Sequence, residues 1–293
     1  MSTFTPAETA ACCRLIEMAL LEDLGPSLSP DADITSQCFV DPLTEGTTIM
    51  VARAYGILAG IPAAALVFSS VDPHLQFETM LIDSSRIKPG HRLARITGLM
   101  TSILAAERTA LNFVQHLSGI ATLTDQYVQA VKGLPAKILD TRKTLPGWRL
   151  LAKYAVRQAG GHNHRMGLYD MFLIKDNHWA ALPVPRKLKD SFYYLRQHHP
   201  KLPIEIEVDT LEQLDEALPA KPDIVLLDNM TLDQMREAVR HRNAAAPEVL
   251  LEASGGVNLQ TVRGIAETGV DRISIGALTH SAPALDIGLD YET

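Results

Sequence analysis

From about residue 135 onward the chain alternates short strand-like runs with amphipathic helical ones, and this constrains the fold more than any other feature. The strand candidates are AKILD (136–140), MFLIK (171–175), IEIEV (204–208), DIVLLD (223–228), EVLLEAS (248–254) and RISIG (272–276). Between them lie RLLAKYAVRQA, LKDSFYYLRQHH, LEQLDEAL, LDQMREAVRHRN and LQTVRGIAETG, which read as helices. Such alternation predicts a parallel sheet with helices outside it, hence an α/β fold. Several of the strands end in a polar residue, namely Asp140, Lys175, Asp228 and Ser254. In an α/β barrel the C-terminal strand ends form the active-site rim. One polar strand end can merely start a loop, but mixed charges on successive strands point to a site.

The part before residue 135 is α+β in character. The first 25 residues read as an amphipathic helix, with Glu17, Glu22 and Asp23 on its polar side. Residues 25–36 read as a loop rich in Asp, Pro and Ser. TTIMVARAYGILAG, LQFETMLI and RLARITG read as strands, and IPAAALVFSSV as a short helix. The run SILAAERTALNFVQHLSGIATLTDQYVQAV reads as two helices, broken or bent around Ser118-Gly119. Leu111, Phe113, Val114 and Leu117 form its apolar stripe, and Glu107, Arg108, Asn112 and His116 its polar remainder.

Bulk properties narrow the function classes. The 293 residues are 46% hydrophobic and 21% charged, as in a globular protein with a full core. A net charge of −7 argues against a general nucleic-acid binder. No transmembrane run and no secretory leader is visible. Cys12, Cys13 and Cys38 form no disulfide framework and no Cys-x-x-Cys zinc motif, so the protein is expected in a reducing cytoplasm.

Against that acidic background stands a basic island. Between Arg142 and Lys175 there are four Arg and three Lys and one acid, Asp170. Cations gathered so locally have an anion to meet. Arg142 and Lys143 follow the strand AKILD and so sit at the rim; Arg grips carboxylate or phosphate bidentately and Lys supplies a mobile charge. Arg165 and Lys175 are assigned to the same anion. Arg149, Lys153 and Arg157 share one helical face, and Lys153 and Arg157 are read as solvated. In GGHNHRMGL the glycine pair stops a helix and lets backbone approach a ligand. His162 and His164 resemble a metal pair, but Arg165 and Lys175 nearby would repel a dication.

Glu205 and Glu207 alternate on IEIEV, so both carboxylates face one side. Acids beside a basic pocket suit a developing cation, ribose hydroxyls or Mg²⁺; an ion pair of this strand with Lys175 is the alternative. EASGGV and SIGALTHS each run from strand into a Gly-rich turn and then a helix, the order expected of a phosphate site in an α/β barrel. The chain has no Walker loop, dinucleotide glycine fingerprint or serine nucleophile elbow.

Taken in order, LLEDLG with DADITS, ERTALNFVQHLSGIAT, DTRKTLPGWR, GGHNHRMGLYDMFLIKDNH, IEIEVDTLEQLDEAL, DIVLLDNM, EASGGV and GVDRISIGALTHS resemble the quinolinate phosphoribosyltransferases, the carboxylating nicotinate-nucleotide pyrophosphorylases. The resemblance covers nearly the whole chain; Ala32 in DADITS departs from an expected Gly. It implies an N-terminal α/β sandwich domain (1–115) serving dimerisation and covering the partner's site. A C-terminal open, incomplete α/β barrel (116–280) and a segment (281–293) returning to the first domain complete the implied fold.

It implies a homodimer with shared active sites, or a higher assembly of dimers, with Arg108 reaching the partner's site. It assigns substrate binding to Thr141, Arg142, Lys143, His164, Arg165 and Lys175. Glu207 and Asp228 would face the ribose and Mg²⁺, directly or through water, while Ser254, Gly255, Gly256, Ile275, Gly276 and Ala277 would hold the 5′-phosphate. Lys143, Lys175, Glu207 and Asp228 carry the catalytic roles.

The implied reaction is transfer of phosphoribosyl from phosphoribosyl pyrophosphate to quinolinate with loss of CO₂, giving nicotinate mononucleotide and pyrophosphate for NAD biosynthesis. The enzyme class is a pentosyltransferase with Mg²⁺ as cofactor and no nucleic-acid or membrane partner. The rivals are a paralogous phosphoribosyltransferase of the molybdenum-transport-associated type, a non-catalytic sugar-phosphate-binding barrel, and a zinc hydrolase using His162 and His164.

Overall fold

A computed structural model describes residues 4–180 and 188–292. Its strands, in chain order, are β1 (Glu45–Ala52), β2 (Gly56–Ile57), β3 (Gln76–Thr79), β4 (Arg86–Ile87), β5 (Arg92–Leu99), β6 (Lys137–Leu139), β7 (Phe172–Ile174), β8 (Ile204–Val208), β9 (Ile224–Asp228), β10 (Leu250–Ser254), β11 (Arg272–Ser274) and β12 (Ile287–Tyr291). Its helices are α1 (Pro6–Leu24), α2 (Ile34–Phe39), α3 (Ile61–Val71), α4 (Met100–Ala130), α5 (Arg149–Gln158), α6 (Asp176–Ala180), α7 (Leu188–His198), α8 (Leu211–Ala217), α9 (Leu232–Ala245), α10 (Val262–Ala266) and α11 (Ala277–His280). They form two compact units. The first comprises Met1–Asp125, Thr144–Gly160 and Leu278–Thr293, the second Gln126–Lys143 and Gly161–Ala277.

The first unit begins with a capped helix. Thr5 Oγ1 accepts from Glu8 N–H at 3.3 Å and Glu8 Oε2 accepts from Thr5 N–H at 2.7 Å, a reciprocal cap that satisfies two orphan donors of α1. Cys12, Ile16 and Leu20 of α1 are buried, while Glu17, Glu22 and Asp23 face solvent, as the amphipathic pattern predicts. Residues 25–36, expected as loop, contain the start of α2. Asp33 Oδ1 takes the N–H groups of Thr35 and Ser36 at 3.1 Å each, and this side-chain cap nucleates the helix there.

The main sheet of this unit is antiparallel, in the order β12-β1-β5-β3, with β2 and β4 forming a separate ribbon. In β12, Tyr291 stands opposite Thr48 and Ile287 opposite Ala52. Helix α3 buries Ile61, Ala63, Ala64, Val67, Phe68 and Val71. Its first turn is anchored by Asp83, whose carboxylate accepts from Gly60 N–H (2.7 Å), Ile61 N–H (3.1 Å) and Tyr154 Oη–H (2.6 Å).

The long run 102–131 is one helix, not two. At Ser118 the hydroxyl donates to Ala59 O at 3.0 Å and accepts from Ala59 N–H at 2.9 Å, so a residue read as a breaker instead docks the β2–α3 loop. Gly119 is small because other backbone crosses there: a Cβ would lie 2.0 Å from Pro283 O.

Helix α5 lies in this unit, although strand–helix alternation places it between β6 and β7. Tyr154 is almost fully buried and meets Phe4 edge-on at 4.7 Å. Two side chains read as solvated are corrected here. Lys153 is fully buried. Arg157, though exposed, is tied to the buried Glu8 carboxylate. A four-residue spacing of cations indicates a shared face, but not which neighbour that face meets.

In the second unit six parallel strands run in the order β6-β11-β10-β9-β8-β7. Five follow in sequence and β6 joins beside β11, leaving β6 and β7 as the two edges; the barrel is open. The β6 edge is extended by His162, whose N–H donates to Ile138 O at 2.8 Å and whose carbonyl accepts from Asp140 N–H at 3.1 Å. Ile204, Ile206 and Val208 are buried on one face of β8, each stabilising the fold by roughly 1.5–3 kcal/mol.

Candidate active site

Because all six strands are parallel, their C-terminal ends fall on one rim of the second unit. That rim gathers Thr141, Arg142 and Lys143 after β6, Lys175 after β7, and Glu207 on β8. Asp228 ends β9, Ser254 ends β10, and Ile275, Gly276 and Ala277 follow β11. Thr141 Oγ1 accepts from Lys143 N–H at 3.0 Å, a local turn that fixes the chain direction through Arg142. Asp140 is not a rim ligand as its place at a strand end suggested. It is fully buried and holds the next segment, accepting from His164 N–H at 2.9 Å and from Asn163 Nδ2–H at 2.5 Å.

The one acid of the basic island, Asp170, is committed to backbone. Its two oxygens accept from Met166 N–H at 2.7 Å and Gly167 N–H at 3.0 Å. Arg165 donates to Met171 O at 3.3 Å. Burial and the nearby Arg142 charge both push its pKa down. Arginine keeps its proton in proteins, so Arg165 stays charged, with Arg142 as a like charge and Glu205 and Asp170 as opposite ones.

Lys175 Nζ donates to Glu207 Oε2 at 2.7 Å, so the ion pair considered as an alternative is made. Asp228 Oδ2 accepts from Asn229 Nδ2–H at 2.8 Å, and Asn229 N–H donates to Ser254 O at 3.0 Å, which joins the ends of β9 and β10. Gly255 has φ +92°, and a Cβ there would lie 2.1 Å from Asn229 Oδ1. No other residue fits that turn as it stands.

His162 and His164 do not form a metal pair. His162 is exposed, whereas His164 is 8% exposed and points into a cluster of acids. Its Nε2 lies 3.1 Å from Glu205 Oε2 and 3.1 Å from Glu252 Oε1, and both carboxylates are fully buried. Arg272 Nε donates to Glu252 Oε2 at 2.7 Å.

Burial alone would lower the pKa of His164, but the two carboxylates outweigh it and raise it to about 9. Burial raises the pKa of Glu205, and Arg272 and His164 hold that of Glu252 down despite its own burial. His164 Nδ1 accepts from Arg165 N–H at 2.8 Å, which needs a lone pair there. In the neutral ring the imidazole proton is therefore on Nε2, facing the two carboxylates.

Among the described residues, the three ligand-capable side chains within 4.8 Å of one another are His164, Glu205 and Glu252. Glu207 and Asp228 contribute a different donor set: two partly exposed carboxylates at the ends of adjacent strands. That set fits Mg²⁺ of the kind bound by one or two carboxylates together with substrate phosphates and water.

Arg108 is exposed on α4 of the first unit, with Glu107 half-buried beside it. Sequence reasoning missed the roles of Asp140, Asp170 and Glu252. Each lay inside a motif already singled out, but only the fold shows which backbone or ring it holds.

Known proteins resemble this chain along nearly its whole length. Residues 33–118 match the family description "Quinolinate phosphoribosyl transferase, N-terminal domain", and residues 120–290 match its C-terminal domain. A nicotinate-nucleotide pyrophosphorylase [carboxylating] of Mycobacterium leprae is 48% identical over 277 residues, which are 94% of this chain and 95% of that protein. A quinolinate phosphoribosyltransferase [decarboxylating] of Nicotiana glauca is 41% identical over 95% of this chain and 82% of its own length. The solved structure of the nicotinate-nucleotide pyrophosphorylase from Francisella tularensis superposes with a TM-score of 0.90 at 37% identity, covering 99% of this chain and 98% of that one. With both domain models and full-length relatives in agreement, the chain belongs to the quinolinate phosphoribosyltransferase family.

Proposed function

We propose that this chain transfers phosphoribosyl from phosphoribosyl pyrophosphate to quinolinate and decarboxylates the product to nicotinate mononucleotide. The observation that carries the reading is the single rim of strand ends, which gathers Arg142, two lysines, two acids and two Gly-rich turns. A dicarboxylate with a pyrophosphate ester is a substrate pair that needs all of these at once.

In this reading Arg142, Lys143, Arg165 and Lys175 bind the quinolinate carboxylates and the pyrophosphate. Thr141 holds the turn that aims the first two. The turns at Ser254–Gly256 and Ile275–Ala277 take the 5′-phosphate through backbone N–H groups. The ring nitrogen forms its bond to ribose C1 as the C1–oxygen bond breaks and its electron pair leaves with pyrophosphate. Glu207 and Asp228 stabilise the positive charge on the sugar in that transition state. The bond from C2 to its carboxylate then breaks, its electron pair stays on C2 where the adjacent pyridinium charge stabilises it, CO₂ departs and C2 takes a proton. Glu207 and Asp228 would also hold Mg²⁺, which neutralises charge on the leaving pyrophosphate when bound.

The exposure of Arg108 on α4 supports a homodimer in which this side chain completes the partner's site. The free cysteines Cys12, Cys13 and Cys38 support a cytoplasmic location. No helix among the described residues is long and apolar enough to cross a membrane. Incubating the protein with quinolinate, phosphoribosyl pyrophosphate and Mg²⁺ should yield nicotinate mononucleotide and CO₂ in equal amounts. Absence of both products from a folded, Mg²⁺-supplied enzyme rejects the assignment.

A further inference from the structure

We propose that Glu205 and Glu252 are positioning residues that set the direction of the Arg165 guanidinium by fixing the His164 ring between them. The proposal rests on Arg165 meeting a substrate carboxylate, as inferred above, and adds two residues that touch no substrate.

The ring is held on every side. Its Nε2 faces Glu205 Oε2 and Glu252 Oε1 at 3.1 Å each. Its Nδ1 accepts from Arg165 N–H at 2.8 Å, and its own backbone N–H donates to Asp140 at 2.9 Å. Glu252 is in turn fixed by Arg272 at 2.7 Å. The result is a continuous path from β11 through β10 and β8 to the backbone of Arg165.

Cost argues that the arrangement serves something. Both glutamates are fully buried. Burying a carboxylate costs several kcal/mol, and apolar side chains of similar volume fill such a space at less expense. Apart from the imidazole, neither oxygen of Glu205 and not Oε1 of Glu252 has a hydrogen-bond partner among the described residues. Their nearest polar neighbour is the ring, and Glu205 also faces the charges of Arg165 and Arg272. Arg165 feels Arg142 as a like charge and Glu205 and Asp170 as opposite ones, so a guanidinium left free to swing has more than one place to go. Fixing the backbone N–H of Arg165 while its side chain is tied to Met171 O leaves one direction for the cation.

The same three side chains could instead hold a divalent cation. A metal on Nε2 would require the ring proton on Nδ1, where Arg165 N–H points, and would sit close to the Arg272 charge. The geometry therefore favours positioning over metal binding.

The test combines kinetics with nitrogen spectra of the imidazole. Glu205→Leu removes the acceptor and should raise KM for quinolinate about tenfold while kcat changes less than about threefold. Glu205→Gln keeps an acceptor for Nε2–H and should restore KM to within about twofold of the original. Long-range proton–nitrogen correlation should show the same His164 nitrogen pattern in the original and Gln proteins and an altered one in the Leu protein.

In an Arg165→Ala background, Glu205→Leu should have no further effect on KM, because it acts through that side chain. If Glu205→Leu does not fold, Glu252→Leu takes its place with the same expectations. An unchanged KM, or additive effects in the double variant, overturns the proposal. One equivalent of tightly bound divalent metal with loss of the Nε2–H signal overturns it in favour of a metal site. If Arg165→Ala alone leaves KM unchanged, the reading of Arg165 as a substrate ligand fails first and the proposal falls with it.

Discussion

Lys175 Nζ and Glu207 Oε2 meet at 2.7 Å across the ends of neighbouring strands, so the cation and the acid proposed for catalysis are paired with each other. The Lys175 side chain is 44% exposed, and an ion pair this open contributes about 0–1 kcal/mol to stability. Lys175→Met and Glu207→Gln should leave the thermal midpoint within about 4 °C of the original. Each should lower kcat/KM by about 10²-fold, because the partner then faces the substrate wrongly charged. Thermal unfolding and steady-state kinetics on the same preparations check both halves. Parallel losses of stability and activity would instead mark the pair as structural.

Gly119 should tolerate no side chain. Gly119→Ala places a methyl 2.0 Å from Pro283 O, and forced overpacking of this kind costs about 1–3 kcal/mol. Urea unfolding should show a lower midpoint with an unchanged slope. Kinetic constants measured well below the transition should stay close to the original values.

Arg142→Ala and Lys143→Ala should each cost at least about 10²-fold in kcat/KM, or about 2.7 kcal/mol of transition-state stabilisation. If Arg108 completes the partner's site, Arg108→Ala subunits mixed with Arg142→Ala subunits recover activity, since each heterodimer keeps one intact site. Titrating one inactive variant into the other should give a maximum near equal amounts. A flat line at the activity of the parents removes the shared site.

His116 meets Trp148 edge-on at 5.0 Å, and burial pushes its pKa below the usual histidine value of about 6.5. Its folded form therefore binds a proton less readily than its unfolded form. The stability this gives is fully present above pH of about 6.5 and is lost as pH falls through the lowered folded pKa. His116→Phe should flatten the decline in unfolding free energy on the acid side of that value. An unaltered pH profile in the variant assigns the decline to other groups.

The parallel sheet and its rim were readable because strand periodicity and polar strand ends are local properties. Arg142, Lys143, Lys175, Glu207 and Asp228 fall where strand ends place them. Burial partners were not readable. Lys153 looks like any solvated helix lysine, and only the fold shows that its face is covered. Ser118-Gly119 resembles a break, yet the pair serves a docking hydroxyl and a backbone crossing separated by many residues in sequence. Glu205 and Glu252 sit on strands read correctly, but their meeting at His164 depends on strand order, which periodicity does not encode.

Strand β12 completes a sheet begun by β1, so Thr48 waits for Tyr291. On a ribosome the two residues emerge far apart in time, and the whole parallel sheet lies in the chain made between them. The second unit can close its sheet first, and the first must keep one edge of β1 open, with unpaired amide and carbonyl groups, until β12 is made. An order of assembly is thus written into the connectivity: the half that holds the rim is finished before the half that bears Arg108.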